Sequence, residues 1–216
     1  DHTVWKPEPD EIENRLGWLR SPEEMAGEVN RLHALAADVR TAGYTDVLLL
    51  GMGGSSLAPE VFAHLFGEQV DAYPALAVLD TTHPGTVRAQ AARLDPARTL
   101  VIVAARSGGT AEILSLFQFF YNWLVDALGE ETAGAHLVAI TDPGSQLEKL
   151  ADDHNFRATF LDNPRIGARY SALSFFGLVP AALVGVDVEQ VLARAREQVR
   201  QCMPESGALD GPTGCA

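Results

Sequence analysis

Two glycine-rich turns with hydroxyl side chains are the features of this sequence that could hold an anion. GMGGSS at 51–56 follows the apolar run VLLL, and RSGGT at 106–110 follows TLVIVAA. Glycines let backbone N–H groups approach a ligand closely, and each turn precedes a predicted helix whose N-terminus carries partial positive charge. Both turns are therefore candidate anion sites, with Gly53, Gly54 and Ser55 in the first; an ordinary tight turn is the alternative.

The second turn has the groups that a phosphoryl group requires. Ser107 and Thr110 supply hydroxyls, Gly108 and Gly109 supply accessible N–H groups, and Arg106 supplies a cation. Together they could satisfy the three phosphoryl oxygens. A helix cap would use the same hydroxyls, so the pattern alone leaves both interpretations open.

Neither turn matches a nucleotide-binding fingerprint. The first has Ser56 where a dinucleotide fold needs glycine, and Asp80 comes later than the acidic residue of that fingerprint. The second lacks the Gly-Lys-Ser/Thr of a P-loop. A metal site is not indicated either, because no metal-ligand spacing connects the six histidines. The residues therefore support neither nucleoside triphosphate hydrolysis nor a metal site, and they give a dinucleotide only weak support.

Two further turns follow predicted strands. TDPGS at 141–145 is typical of a tight turn, and Ser145 can cap the next helix, so this turn is assigned a structural role. DNPRIGARYS at 162–171 places Arg169 among small residues at the start of a helix. A fixed guanidinium there could face an anionic ligand or a developing enolate, with a surface ion pair as the alternative. His83, after another strand, is a weaker candidate.

The elements that must position these turns alternate between short apolar strands and helices. Strands that are apolar throughout indicate a parallel sheet covered on both faces, and ligands of such sheets lie at the carboxyl ends of the strands. The pattern predicts a doubly wound α/β fold with five parallel strands flanked by helices. The predicted strands are 47–51, 76–80, 99–105, 136–141 and the shorter 158–161; the predicted helices are 22–42, 57–67, 84–93, 110–128, 145–153, 171–185 and 188–202.

The composition limits the classes of partner that the protein could bind and indicates its cellular compartment. The 216 residues carry a formal charge of −13, which disfavours nucleic acid and anionic membranes as partners. No apolar run approaches the length of a membrane span, and two cysteines near the end, Cys202 and Cys215, are not a disulfide framework. We therefore expect a cytoplasmic protein. The expected organisation is a linker at 1–22, one domain at 23–203 and a loose tail at 204–216, in a chain that reads as part of a longer one.

Four segments together resemble the glucose-6-phosphate isomerase family, and more narrowly the isomerase half of fused transaldolase/phosphoglucose isomerases. They occur in the family's order across roughly residues 45–190, and RLGWL at 15–19 is similar to the connector of those fusions. The segments are GMGGSSLAPEVF at 51–62, ARSGGTAEILS at 105–115, AITDPGSQLEKLA at 139–151 and IGARYSALSFFGLVPAALVGVD at 166–187.

The resemblance implies a sugar isomerase (SIS) fold that binds a phosphosugar at the strand ends. It implies that Ser107 and Thr110 hold the phosphate, with Arg106 and Gly108 alongside, and that the turn at 53–55 lines the sugar. It places Arg169 near a cis-enediol(ate) formed between glucose 6-phosphate and fructose 6-phosphate, a reaction of glycolysis and gluconeogenesis. A second SIS subdomain or a transaldolase domain in the parent chain, and a homo-oligomer, are further expectations of the resemblance.

The sequence also departs from the family pattern. ARSGGT at 105–110 stands where the family usually has Ser-Lys-Ser-Gly-Thr-Thr, and Ala168 replaces a glycine. The glutamate, histidine and lysine with which the family moves protons match nothing in this chain, and Glu112 is assigned to structure. We therefore expect binding without turnover. The alternatives are a phosphosugar sensor without catalysis and, from the glycine turn alone, a dinucleotide-dependent oxidoreductase.

Overall fold

Five parallel strands form one sheet in the computed structural model, which describes residues 2–10, 12–66 and 73–202; the predicted tail at 204–216 lies outside the described residues. The strand order is β2-β1-β3-β4-β5. This confirms the predicted five-stranded α/β fold. The strands are β1 (Asp46–Gly51), β2 (Ala75–Leu79), β3 (Thr99–Ala104), β4 (Leu137–Thr141) and β5 (Ala158–Leu161).

Helices connect the strands and cover both faces of the sheet. They are α1 (Ser21–Ala26), α2 (Val29–Thr41), α3 (Gly54–Phe66), α4 (Pro84–Arg93), α5 (Ala111–Leu128), α6 (Glu130–Ala133), α7 (Gln146–Asp153), α8 (Phe175–Leu183) and α9 (Val188–Cys202). Short 3-10 turns occupy His2–Val4, Glu13–Arg15, Gly17–Arg20, Pro96–Arg98, Gly134–His136 and Ala168–Leu173. No helix in the described ranges is both long and apolar enough to span a bilayer.

The core lies on both sides of the sheet, as continuous apolar strands require. Along β1, Val47 and Leu49 pack into a cluster with α2, α8 and α9, whereas Leu48 and Leu50 pack into a second cluster with α4, α5 and α7. All four side chains are fully buried. Because successive strand residues point to opposite faces, an unbroken apolar run fills both layers.

Three predicted helices differ from the observed ones. The helix expected over 22–42 is two helices, because the chain turns at Gly27, a poor helix former whose N–H bonds to Glu24. The helix after β1 begins earlier than expected, at Gly54. The helix expected over 171–185 is a 3-10 turn followed by α8, because Ser174 adopts an extended conformation between them.

The described residues near the two ends of the chain bear on the predicted linker and on the expected compartment. Ser21 and Pro22, assigned to the linker, are buried in α1. Residues just before them, Gly17–Arg20, form a 3-10 turn that contacts the turn Ala168–Leu173. Cys202 is disulfide-bonded, so it gives no support to the expected reducing compartment.

Candidate functional site

The strand order brings the two glycine-rich turns side by side. β1 and β3 are neighbours, and Gly51 at the end of β1 pairs with Ala104 at the end of β3. The chain continues from β1 to β2 on one side and from β3 to β4 on the other, so the topology switches direction between these turns. In open parallel sheets, ligands bind in the crevice at this position.

The turn after β1 is tightly packed against the segment that carries Arg169. Gly53 has a φ of +61°, a conformation that favours glycine, and Gly54 begins α3. A Cβ atom on Gly54 would lie 2.6 Å from the carbonyl carbon of Ala168, so only glycine fits. Ser55 is buried in the first turn of α3, next to this contact.

The turn after β3 is anchored on the next strand-end loop. Gly108 has a φ of +65°, and a Cβ atom there would collide with Leu147 of α7. The carbonyl of Ser107 accepts a hydrogen bond of 3.1 Å from the N–H of Gln146. The backbone of this turn is therefore held in place on one side.

The other side of the same turn is open. Ser107, Gly109 and Thr110 are exposed, and the Ser107 hydroxyl accepts only a long bond of 3.4 Å from the N–H of Gly109. Thr110 occupies the N-cap position of α5, yet its side chain makes no capping hydrogen bond. These hydroxyls are free to bind a ligand at the start of an 18-residue helix.

Arg106 is held between two carboxylates. Its guanidinium donates to Asp142 at 2.6 Å and to Asp162 at 2.9 Å, and it lies 5.0 Å from the centroid of the Phe176 ring. Asp142 follows β4 and Asp162 follows β5, so the carboxyl ends of three neighbouring strands meet in this cluster. We call Arg106, Asp142 and Asp162 the carboxylate clamp.

The buried carboxylate of the clamp is fully hydrogen-bonded. Asp162 has a side chain that is 1% exposed; it accepts from the Ser174 hydroxyl at 3.1 Å and from the Phe175 N–H at 3.2 Å, at the start of α8. Burial raises the pKa of Asp162, and the nearby Arg106 charge acts against that shift. Burial likewise raises the pKa of Asp142, again opposed by Arg106.

Arg169 contrasts with Arg106. It lies in the 3-10 turn Ala168–Leu173, is exposed, and has no hydrogen bond or ion pair with any described residue. His83, the weaker candidate, is used as a cap: its Nδ1 accepts from the N–H of Thr86 at the start of α4. Glu112 is exposed in the first turn of α5.

Sequence reasoning missed the carboxylate clamp. It assigned the Asp142 turn to structure and gave Asp162 no role, although each aspartate directly follows a strand whose carboxyl end lies at the same edge as Arg106. The position of both aspartates directly after a predicted strand could have indicated that they lie near Arg106. Among the described residues, no group of three or more His, Cys, Asp and Glu side chains is placed to hold a metal ion.

Sequence comparisons relate the chain to one family of sugar isomerases. Residues 30–206 match the family model for phosphoglucose isomerase. A glucose-6-phosphate isomerase of Thermus thermophilus is 36% identical over 185 residues, which are 84% of this chain and 42% of that protein. The enzyme of the same name from Rubrobacter xylanophilus is 34% identical over 203 residues, 91% of this chain and 46% of that protein.

Structural comparisons agree. A hypothetical protein from Thermus thermophilus superposes with a TM-score of 0.77 at 32% identity, over 90% of this chain and 45% of that one. A glucose-6-phosphate isomerase from Chlamydia trachomatis shares the fold, with a TM-score of 0.70 at 23% identity, over 85% of this chain and 34% of that one. The chain spans less than half the length of these relatives. It belongs to the phosphoglucose isomerase family.

Proposed function

We propose that this chain binds the phosphate and part of the sugar of glucose 6-phosphate and fructose 6-phosphate, as one part of an aldose–ketose isomerase that works through a cis-enediol(ate). The observation that carries the proposal is the open side of the β3 turn. The hydroxyls of Ser107 and Thr110 are exposed at the start of a long helix, beside the β1 turn at the switch point of the sheet.

In this proposal, the phosphate is bound mainly by hydroxyls and backbone N–H groups. Arg106, one of the predicted phosphate ligands, already has two carboxylate partners, so its positive charge is compensated. Arg106 supports the turn through its backbone, whose carbonyl accepts from the Thr141 hydroxyl at 2.9 Å and from the Asp142 N–H at 3.1 Å. The N-terminus of α5 then supplies the electropositive field for the phosphate.

Arg169 is the group proposed to stabilise the negative charge that develops on the substrate oxygens. Removal of a proton next to a carbonyl builds negative charge on the carbonyl oxygen, and a positioned cation or donor stabilises that charge. Arg169 is exposed, has no ion pair with any described residue and follows Ala168, which packs against Gly54 of the β1 turn. Proton transfer of this kind needs a base of suitable pKa but no metal or organic cofactor.

The catalytic base and the proton relay are proposed to correspond to parts of the relatives that have no counterpart in this chain. The relatives named glucose-6-phosphate isomerase are more than twice as long, and the resemblance offers no glutamate, histidine or lysine here for proton transfer. The 216 residues should therefore bind fructose 6-phosphate without converting it, because loss of a general base costs about 10²–10⁴ in rate. Near-normal turnover in a coupled isomerase assay would contradict this separation of binding from proton transfer.

A transaldolase domain, a homo-oligomer and a cytoplasmic location stay predictions.

Binding by Ser107 and Thr110 can be tested by titration calorimetry with fructose 6-phosphate. The double variant Ser107→Ala, Thr110→Ala should weaken binding by about 1–3 kcal/mol, the cost of losing hydrogen bonds to a charged group. Ser115→Ala is the matched control, because its hydroxyl lies on the same helix and donates to the carbonyl of Ala111. Equal affinity in the double variant and the control would place the phosphate elsewhere.

A further inference from the structure

A short N-terminal segment lies against the turn that carries Arg169. We call residues 15–20 the strap. Within it, Leu16 pairs with Ile166 in an isolated antiparallel bridge, and the N–H of Gly17 donates to the carbonyl of Arg165 at 3.1 Å. A Cβ atom on Gly17 would lie 3.0 Å from the backbone of Arg165, so the two segments are in close contact.

An aromatic pair extends this contact to the neighbour of Arg169. The rings of Trp18 and Tyr170 are stacked, with centroids 5.4 Å apart and planes 20° from parallel. Both rings are partly exposed, Trp18 by 37% and Tyr170 by 61%, so the pair forms a surface feature rather than part of the core. The pair therefore joins the strap to the turn Ala168–Leu173 without adding to the core.

One residue of the strap, Arg15, lies within electrostatic range of the strand ends of the candidate site. Burial raises the pKa of Asp142, and the positive charges that oppose this shift are Arg106 and, more weakly, Arg15 of the strap. Arg15 therefore lies near enough to the carboxylate clamp to act on it electrostatically. The strap therefore contacts the turn of Arg169 and lies within electrostatic range of the clamp.

Hydrogen bonds within the turn join Tyr170 to Gly167 and Ser171 to Ala168, and none of them involves the Arg169 side chain. The turn is a 3-10 turn in which Tyr170 departs from helical geometry, with φ −111° and ψ 16°. The Ser171 hydroxyl donates to the Ala168 carbonyl, but the Arg169 side chain has no partner among the described residues. The direction of its guanidinium therefore depends on how the backbone of the turn is held. α3, which begins at Gly54, and α8 pack against the backbone of the turn, and the strap packs against Tyr170 next to Arg169.

We propose that Trp18 is a positioning residue: by stacking on Tyr170 it fixes the turn Ala168–Leu173 and so aims Arg169 at the enediolate oxygens. This role rests on the function proposed above for Arg169. It gives a role in the candidate site to a segment that resembles the connector of the fused proteins. The strap lies far in sequence from the turn that it contacts.

Hydrogen exchange of the unliganded chain tests whether the strap holds the turn. Trp18→Ala should speed exchange of the amides over 167–174 by about two- to tenfold, the range expected for loss of an aromatic pair. Trp18→Phe should restore the slow exchange because it keeps a stacked ring. Trp5→Ala is the matched control, since it removes an indole that is 77% exposed. Unchanged exchange in Trp18→Ala would overturn the proposal.

Ligand binding tests whether holding the turn matters for Arg169. The probes are fructose 6-phosphate and 5-phosphoarabinonate, a sugar acid whose carboxylate resembles the enediolate. Trp18→Ala should weaken binding of the acid about tenfold and of fructose 6-phosphate less than about twofold, since only the acid presents the charge that Arg169 faces. In an Arg169→Ala background, the same substitution should change acid binding less than about twofold.

The outcomes separate the positioning role from the function on which it rests. Equal weakening of both ligands, or weakening of the acid that persists without Arg169, would show a general structural effect and overturn the proposal. If the unaltered chain binds neither ligand, the proposed function is wrong, and the positioning role falls with it. The exchange measurement would still report whether the strap holds the turn.

Discussion

Arg106 and Arg169 lie at the same edge of the sheet but in opposite electrostatic settings. Arg106 is shared between two carboxylates, and its side chain is 18% exposed. Arg169 is exposed and has no ionic partner among the described residues. The difference shows that a cation beside a glycine-rich turn is not a ligand by position alone, because the neighbouring strand ends decide whether its charge is available.

The position of each arginine in the sheet explains the difference. Arg106 follows β3, and the ends of β4 and β5 flank it on one side, each with an aspartate. Arg169 lies beyond β5 on a turn whose neighbours include Gly54, α8 and the strap. The carboxylate clamp has a net negative charge when its aspartates are ionised, so the phosphate binding proposed for the adjacent turn depends on hydroxyls, N–H groups and the start of α5.

Removal of Arg106 should produce the largest effect on stability. Arg106→Ala leaves Asp162 buried without its ionic partner, and loss of one member of a buried pair typically costs about 3–5 kcal/mol. Urea unfolding would measure the loss. Arg169→Ala is the control and should change the free energy of unfolding by less than about 0.5 kcal/mol, as expected for an exposed side chain. Equal losses would abolish the distinction between the two arginines.

The geometry of the clamp can be separated from its charge with Arg106→Lys, which installs the residue that the family pattern usually has there. An ammonium group keeps the charge, but it lacks the planar fork that reaches Asp142 and Asp162 from different nitrogens. We expect a smaller loss of about 1.5–3 kcal/mol, the cost of one hydrogen bond to a charged group. No loss at all would show that charge alone maintains the clamp.

The pH dependence of stability should show the smallest effect. Burial raises the pKa of Asp162 above its ordinary value of 3.8, so the folded state binds its proton more tightly than the unfolded state does. The stability that this proton contributes is present below pH 3.8 and is lost as the pH rises through the folded-state value. In urea unfolding from acid to neutral pH, the free energy of unfolding of the unaltered chain relative to Asp162→Asn should therefore decrease. A relative increase would mean that Arg106 lowers that pKa overall.

The fold was predictable because its signals are local and repeated. Each apolar run that became a strand is followed by a turn and a helix, and the order of the turns placed the site at the carboxyl edge of the sheet. Boundaries were less predictable where one residue breaks a pattern, as at Gly27 and Ser174. The ends of helices depend on single backbone conformations that composition does not report.

The site was only partly predictable because its partners are distant in sequence. Ser107 and Thr110 were predicted as phosphate ligands from their own turn; both are exposed, and their role stays a prediction. The partners of Arg106 come from turns 36 and 56 residues away. The pairing of Trp18 with Tyr170 likewise depends on how the N-terminal segment packs, which no local pattern indicates.

Crystals soaked in fructose 6-phosphate would test most directly whether the β3 turn, rather than Arg106, binds the phosphate. We predict phosphate oxygens at about 2.7–3.2 Å from the hydroxyls of Ser107 and Thr110, with Arg106 still bonded to Asp142 and Asp162. A phosphate bound to the Arg106 guanidinium after release of either aspartate, or one bound away from this turn, would contradict the account.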